Sequence, residues 1–353
     1  MDQKTNKFIF TWLSTILLMV LAMVLIGGVT RLTDSGLSMV EWKPLLGIIP
    51  PMNETEWMVV FKKYQQFPEY QMVNHRMNLA EFKFIYFWEY FHRLFGRLIG
   101  LVFFFPLAFL LIRKKINKSW AKRLIIAFFL GGSQGLLGWF MVKSGLVDKP
   151  DVSHLRLAAH FGLALIIMSY IFWLMLCLKE EKPLKQVDKE VSVNLLPFAI
   201  IMVIQIIYGA FVAGLDAGMV FNTFPLMGKS LIAPGLFASG LDGFVNGNAG
   251  VQFIHRILGI TLFVMAIIFV IKAKKINNRK EAIALKMIAH MTFLQFLLGV
   301  STLVLKVPLV LASMHQMGAC FLVLFVVRGL YIFAPFNKIR IENLSNEEKA
   351  ILT

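Results

Sequence analysis

The chain has 353 residues, 58% of them hydrophobic, and a mean hydropathy of +0.71. Soluble globular domains are usually about 45–50% apolar, so a water-soluble fold is excluded and a membrane protein is expected. The net charge of +16 does not indicate a nucleic-acid surface, because the basic residues lie between the apolar runs and do not form one patch.

Apolar runs long enough to cross a bilayer, which takes roughly 20 residues, recur near 8–28, 84–112, 124–142, 157–178, 195–214, 251–271, 287–305 and 309–333. An all-α integral membrane protein of eight transmembrane helices is expected. The first run lacks a small-residue cleavage site and continues into Gly27-Gly28-Val29-Thr30-Arg31, so it reads as a permanent helix and not a cleaved signal. Residues 1–7 are a short polar lead without the Arg-rich, acid-poor composition of an import presequence, which points to a bacterial inner membrane. Residues 29–83 then make a long segment with several acidic residues, Tyr64, Tyr70 and His75. Basic residues crowd into 113–123, 179–189, 272–286 and the two tails, which together hold more than half of the 36. The positive-inside rule therefore places both termini in the cytoplasm. Cys177 and Cys320 both fall inside spans, far apart, and imply no disulfide framework.

The sequence repeats. Glu89, His92, Arg93 and Gly96 match Gln252, His255, Arg256 and Gly259 at the same spacing; Gln134 and Gly138 match Gln295 and Gly299; His160 matches His315. Upstream, Gly27, Asp34 and Gly36 align with Gly209, Asp216 and Gly218, and Pro44-Leu45 aligns with Pro225-Leu226 after a one-residue shift. Each repeat holds an even number of spans, so two parallel four-helix-bundle repeats are expected, related by an axis near the membrane normal. The charged stretch 179–192 divides them into halves 1–185 and 186–353.

With the termini inside, His92, His160, His255 and His315 all lie early in spans that run inward from the outer face, and so share one depth. His75, His154 and His290 have no repeat partner. A single helix histidine is usually a hydrogen-bonded core residue. Four at matched positions are different, because ionisable groups inside spans are costly and usually functional. Two imidazoles facing one another across a four-helix bundle are a natural seat for a cofactor. Haem fits: imidazole is a common axial ligand of haem iron, and no Cys, His, Asp or Glu cluster suggests zinc. Gly96 and Gly259 sit one turn beyond His92 and His255, either clearing space for a flat macrocycle or allowing tight helix packing. Arg93 and Arg256 are candidates to meet haem propionates or to reach lipid headgroups. Gln134 and Gln295 read as haem-site residues or as glue between helices.

The halves differ where chemistry would matter. Glu89 stands opposite Gln252, Arg31 opposite Ala213, Arg97 opposite Ile260 and Arg156 opposite Leu311. Each extra charge belongs to the first half, which therefore reads as catalytic, while the second reads as electron-carrying.

The chain resembles the heme A synthase family. The likeness rests on Gly27-Gly28-Val29-Thr30-Arg31-Leu32-Thr33-Asp34-Ser35-Gly36-Leu37-Ser38, continuing to Trp42 and Pro44; on Glu89, His92 and Arg93; on Gln134, Gly135, Gly138 and Trp139; and on Phe221-Asn222-Thr223-Phe224-Pro225-Leu226-Met227. It covers nearly the whole chain. The resemblance implies that haem O enters the first half and that one of its methyl groups is oxidised in successive steps to the formyl group of haem A. It further implies that His255 and His315 ligate a permanent haem b, with Arg256 and Gly259 beside it. His92 and His160 would flank the substrate iron and Glu89 would be the functional acid; Arg31, Arg93 and Arg97, read from their places in the first half and not from the resemblance, are the candidates to bind the substrate. Some members carry a cysteine pair after the first span; residues 29–83 contain no cysteine, as in the branch with alphaproteobacterial and mitochondrial members. Contacts with a heme O synthase and with terminal oxidase assembly factors are expected from the same resemblance. The electron donor, the oxygen source and the choice between monomer and homo-oligomer are not legible in the sequence. The other readings are a membrane b-type cytochrome and a haem transporter, although a transporter would place its site nearer the midplane.

Overall fold

The computed structural model describes residues 2–41, 48–146, 150–179 and 195–333. Trp42 and Pro44 of the first motif, nearly all of the charged stretch at 179–192 and the boundary at 185 lie outside the described residues.

Helix α1 (Gln3–Leu32) begins where the Asp2 side chain accepts the Thr5 amide at 2.6 Å, an N-cap that satisfies one of the helix's orphan donors. It runs unbroken through Gly27 and Gly28 and stops where Asp34 turns into the left-handed region, φ 48°. Within the long segment that follows, α2 (Glu54–Tyr64) is capped by Asn53 and α3 (Pro68–Met72) starts on a proline, whose fixed φ suits a first turn. Helix α4 (Leu79–Ile112) opens five residues before the apolar run expected from 84, because Asn78 and Glu81 form a reciprocal capping box. Helices α5 (Lys118–Val142) and α6 (His154–Lys179) follow, then α7 (Leu196–Gly214), the short α8 (Gly243–Asn246), α9 (Asn248–Ala273), α10 (Arg279–Val304) and α11 (Leu309–Phe333).

Among the described residues, eight helices are long and apolar enough to cross a membrane: α1, α4, α5, α6, α7, α9, α10 and α11, with the third extended to Gly145. Their outward faces are apolar, with Phe105, Ile112, Phe129 and Ile166 exposed. That pattern suits lipid, where every backbone group must be satisfied within a helix.

Helix α1 packs on α4, α6 and α11; α7 packs on α9, α6 and α11; α5 bridges α4 and α6, and α10 bridges α9 and α11. Helices α6 and α11 touch directly, and one continuous apolar core runs through all eight, including Leu13, Leu124, Met168, Phe198, Leu285 and Cys320. Lipid tails are as apolar as leucine, so close packing and interhelical hydrogen bonds hold such helices together, not the hydrophobic effect. Trp12 Nε1 donating to the Val102 carbonyl at 2.9 Å, between α1 and α4, is one such bond. The segment after α1 folds over the start of α4, where Tyr64, Phe61, Phe82, Ile85, Tyr86 and Met39 form a second, aromatic core.

Candidate active site

The four matched histidines come together as two pairs. His92 on α4 and His160 on α6 lie within electrostatic range of one another, as do His255 on α9 and His315 on α11. All four are half-buried.

Each imidazole lies over a glycine of a neighbouring helix. A Cβ on Gly27 of α1 would come 3.1 Å from His92 Nε2, and one on Gly138 of α5 would come 3.0 Å from His160 Cε1. In the other pair, a Cβ on Gly209 of α7 would be 3.0 Å from His255 Cε1, and one on Gly299 of α10 would be 2.9 Å from His315 Cε1. Real Cβ atoms rarely approach so closely, so these four positions admit a histidine ring because no side chain is there. The Cβ positions of Gly96 and Gly259 lie 3.2 Å from Met23 Cε and 3.3 Å from Gln205 Nε2.

Glutamines hold the histidine turns. Gln134 Nε2 donates to the His160 carbonyl at 3.0 Å, and Gln295 Nε2 donates to the His315 carbonyl at 2.7 Å. His255 Nδ1 lies 3.2 Å from the Gln205 carbonyl, which only accepts, so Nδ1 carries the proton and Nε2 keeps its lone pair. The Gln205 amide reaches that Nε2 at 3.3 Å. Among the described residues, His315 Nδ1 is buried with no hydrogen-bond partner. These features fit a group held between two imidazoles: paired rings, glycine clearance beside each, and a carbonyl fixing one tautomer.

The charged residues beside the histidines grip the segments that follow α1 and α7. Glu89 is buried; its Oε2 accepts from Ser38 Oγ and from the Met39 amide, both at 2.7 Å, and its Oε1 pairs with Arg93 at 2.5 Å. Arg93 also donates to the carbonyls of Met39 at 3.0 Å and Glu41 at 3.3 Å. In the other set, Gln252 Nε2 donates to the Ala217 carbonyl at 2.8 Å. Arg256 bonds Gln252 Oε1 at 3.0 Å and the carbonyls of Phe221, Thr223 and Leu226 at 2.8, 2.8 and 2.9 Å. The acid accordingly faces a segment that offers donors, and the amide faces one that offers acceptors.

Arg31 reaches from the end of α1 to the Ala213 carbonyl and to Asp216 Oδ1, the latter at 2.7 Å. It thereby joins the ends of α1 and α7. Arg97, one turn beyond Arg93, lies in electrostatic range of Arg93 and Tyr90. Arg156 donates to the Phe140 carbonyl at 2.8 Å and covers the Phe140 ring at 3.8 Å. Of the remaining histidines, His75 is exposed, His290 turns its Nδ1 to the Lys286 carbonyl, and His154 opens α6 against Phe211 and Gly214.

A family model described as cytochrome oxidase assembly protein, COX15-CtaA, matches residues 10–327. The chain belongs to that family. It is 41% identical over 329 residues to a heme A synthase of Flavobacterium johnsoniae, covering 91% of this chain and 96% of the relative. A heme A synthase of Nitrosospira multiformis is 44% identical over 335 residues, covering 91% and 92%. One of Paramagnetospirillum magneticum is 43% identical over 319 residues, covering 89% and 90%. As a member of the cytochrome oxidase assembly family with eight apolar helices, the chain is a multi-pass protein of the bacterial inner membrane type.

Sequence reasoning did not assign roles to Gly27, Gly138, Gly209 and Gly299, nor to Ser38, Gln205 and Gln316. The glycines had left a signal: they recur as two aligned pairs, Gly27 with Gly209 and Gly138 with Gly299.

Proposed function

We propose that this protein is a heme A synthase, an oxidoreductase that oxidises a methyl substituent of haem O in successive steps to the formyl group of haem A. It consists of two parallel four-helix repeats, 1–185 and 186–353, with both termini cytoplasmic, and its sites face the outer side. The observation that carries this reading is the pairing of His92 with His160 and of His255 with His315, each ring over a glycine. Membership of the family and the named relatives support it.

In this reading His255 and His315 would hold a permanent haem b, with Arg256 and Gly259 on the same helix. Bound there, haem b supplies one-electron transfer. His92 and His160 flank the iron of haem O. The Gln205 carbonyl orients His255 through its Nδ1 proton, and Gln134 and Gln295 steady the turns that carry His160 and His315.

The first-half charges distinguish the two sites. Glu89 is the acid nearest the substrate pair in sequence, three residues before His92 and on the same side of α4. Its carboxylate pins Ser38 and Met39, so this acid holds the covering segment in place as well as offering a proton-exchanging group. Arg31, Arg93 and Arg97 put positive charge around the same end of the helices, where haem propionates would need it. Heme O synthase and terminal oxidase assembly factors are the expected neighbours in the pathway.

Purified protein should contain haem B together with haem O or its oxidised derivatives when its porphyrins are identified by mass. His255→Ala and His315→Ala should each lose haem B. His92→Ala and His160→Ala should stop haem A formation while the haem B spectrum persists. A full complement of unaltered haem B in either second-half variant would overturn the assignment. Loss of haem B from the first-half variants, with normal haem A output, would reverse the halves.

A further inference from the structure

Adjacent glycines on α1 face different sites. Gly27 lies against His92, whereas a Cβ on Gly28 would fall on the side chain of Gln316, the residue after His315. Gln316 Nε2 donates across the α1–α11 contact to the Val24 carbonyl at 2.9 Å. In an α-helix the carbonyl of residue 24 also accepts the amide of residue 28. A short connected chain therefore runs from the His315 turn through the Gln316 amide, the Val24 carbonyl and the Gly28 amide to Gly27, which touches His92.

The equivalent contact, α6 on α7, lacks this bond among the described residues. There Phe161 follows His160 and packs on an apolar cluster with Ala158, Ala210 and Phe211, where Ala210 aligns with Gly28. Among the described residues the Gln316–Val24 bond has no counterpart from Phe161, whose side chain is apolar. Polar side chains in spans are costly and usually functional, and this half-buried one lies between the two histidine pairs.

We infer that Gln316, through Val24 and the Gly27-Gly28 turn, is the electron path between the two sites; the inference rests on the haem assignments above. With both haems bound, these residues would couple the two sites for the passage of one electron, lost by the second-half haem and gained by haem O. An external reductant, dithionite in the test, restores the donor. Gln316 acts through this turn of α1 and touches no substrate, so it is a positioning residue.

The test uses the full-length protein holding both haems, half-reduced with limiting dithionite. The relaxation of electrons between the two haems is followed after a temperature jump, each haem at its own absorption band. In Gln316→Leu the relaxation should slow several-fold, with both haem spectra and both reduction potentials unchanged. Gly28→Ala keeps the amide but displaces it from Val24, and should slow relaxation in the same way, even if Gln316→Leu retains haem poorly. Phe161→Leu, at the mirrored contact, should relax as the wild type does. Wild-type relaxation in Gln316→Leu or Gly28→Ala with both haems retained would overturn the path. A wild-type protein without a second-half haem would overturn the haem assignments themselves, and the path with them.

Discussion

Gly299 and His315 meet across the α10–α11 contact so closely that a Cβ on the glycine would stand 2.9 Å from the imidazole Cε1. The same relationship joins Gly209 to His255, Gly138 to His160 and Gly27 to His92. In each case the missing side chain of one helix makes room for a histidine ring of another.

Alanine at these glycines should therefore separate site geometry from folding. Alanine is about 1 kcal/mol better than glycine in a helix interior, so the substitutions cost nothing locally but push the ring aside. Gly209→Ala and Gly299→Ala should shift or abolish the second-half haem spectrum. Gly27→Ala and Gly138→Ala should lower haem O retention with haem B intact. Gly96→Ala should do much less, since its Cβ meets the flexible end of Met23. Absorption spectra of the purified variants provide the comparison.

Glu89→Gln copies the residue of the second half while keeping an acceptor for the Met39 amide. Haem B content should stay normal, haem O or a partly oxidised derivative should accumulate, and little haem A should form. Glu89→Ala should also destabilise the protein, by about 3–5 kcal/mol, because it leaves the Arg93 guanidinium buried without its counter-charge. Near-normal haem A from the glutamine variant would leave Glu89 as an anchor for residues 38 and 39 only.

The buried Glu69 of α3 predicts a pH dependence of stability. Burial, with lesser contributions from the charges of Glu89, Asp34 and Asp151, raises its pKa from 4.5 to about 8, against the pull of a Tyr64 hydrogen bond. Between those values the folded protein holds a proton that the unfolded chain has released. Stability is therefore greatest below 4.5 and falls as pH rises to about 8, where the loss is complete. Glu69→Gln should flatten that slope and raise the thermal midpoint at its upper end. An unchanged slope in this variant would mean that Glu69 is ionised throughout.

Arg31 joins α1 to α7 through Asp216, in a pair with side chains 26% and 67% exposed. A double-mutant cycle with Arg31→Ala and Asp216→Ala should give a coupling of only about 0.2–1 kcal/mol, weakened by salt. The haem O content of the two single variants carries the functional information. If Arg31 binds substrate, Arg31→Ala should lose haem O while Asp216→Ala keeps it. Equal retention in both would reduce Arg31 to a clasp between helices.

Much of this protein was legible in one dimension, for a reason particular to membranes. A span must be apolar along its whole length and satisfy its own backbone, so the eight helices appear as hydrophobic runs, with the expected 309–333 matching α11 end to end. The histidines were legible because polar groups in such runs are rare and these four recur in register. What surrounds each histidine was not legible, because helix contacts depend on which faces meet. Spacing alone put Gly96 and Gly259 one turn from their histidines; packing set those glycines beside Met23 and Gln205 and brought glycines of other helices against the rings. Likewise the spacing of Glu89 and Arg93 on one helix allowed their ion pair, but only the fold of residues 35–41 over α4 made Glu89 the acceptor for Ser38 and Met39 as well. Helix periodicity sets which residues share a face, but the rotation and closeness of neighbouring helices decide what that face touches.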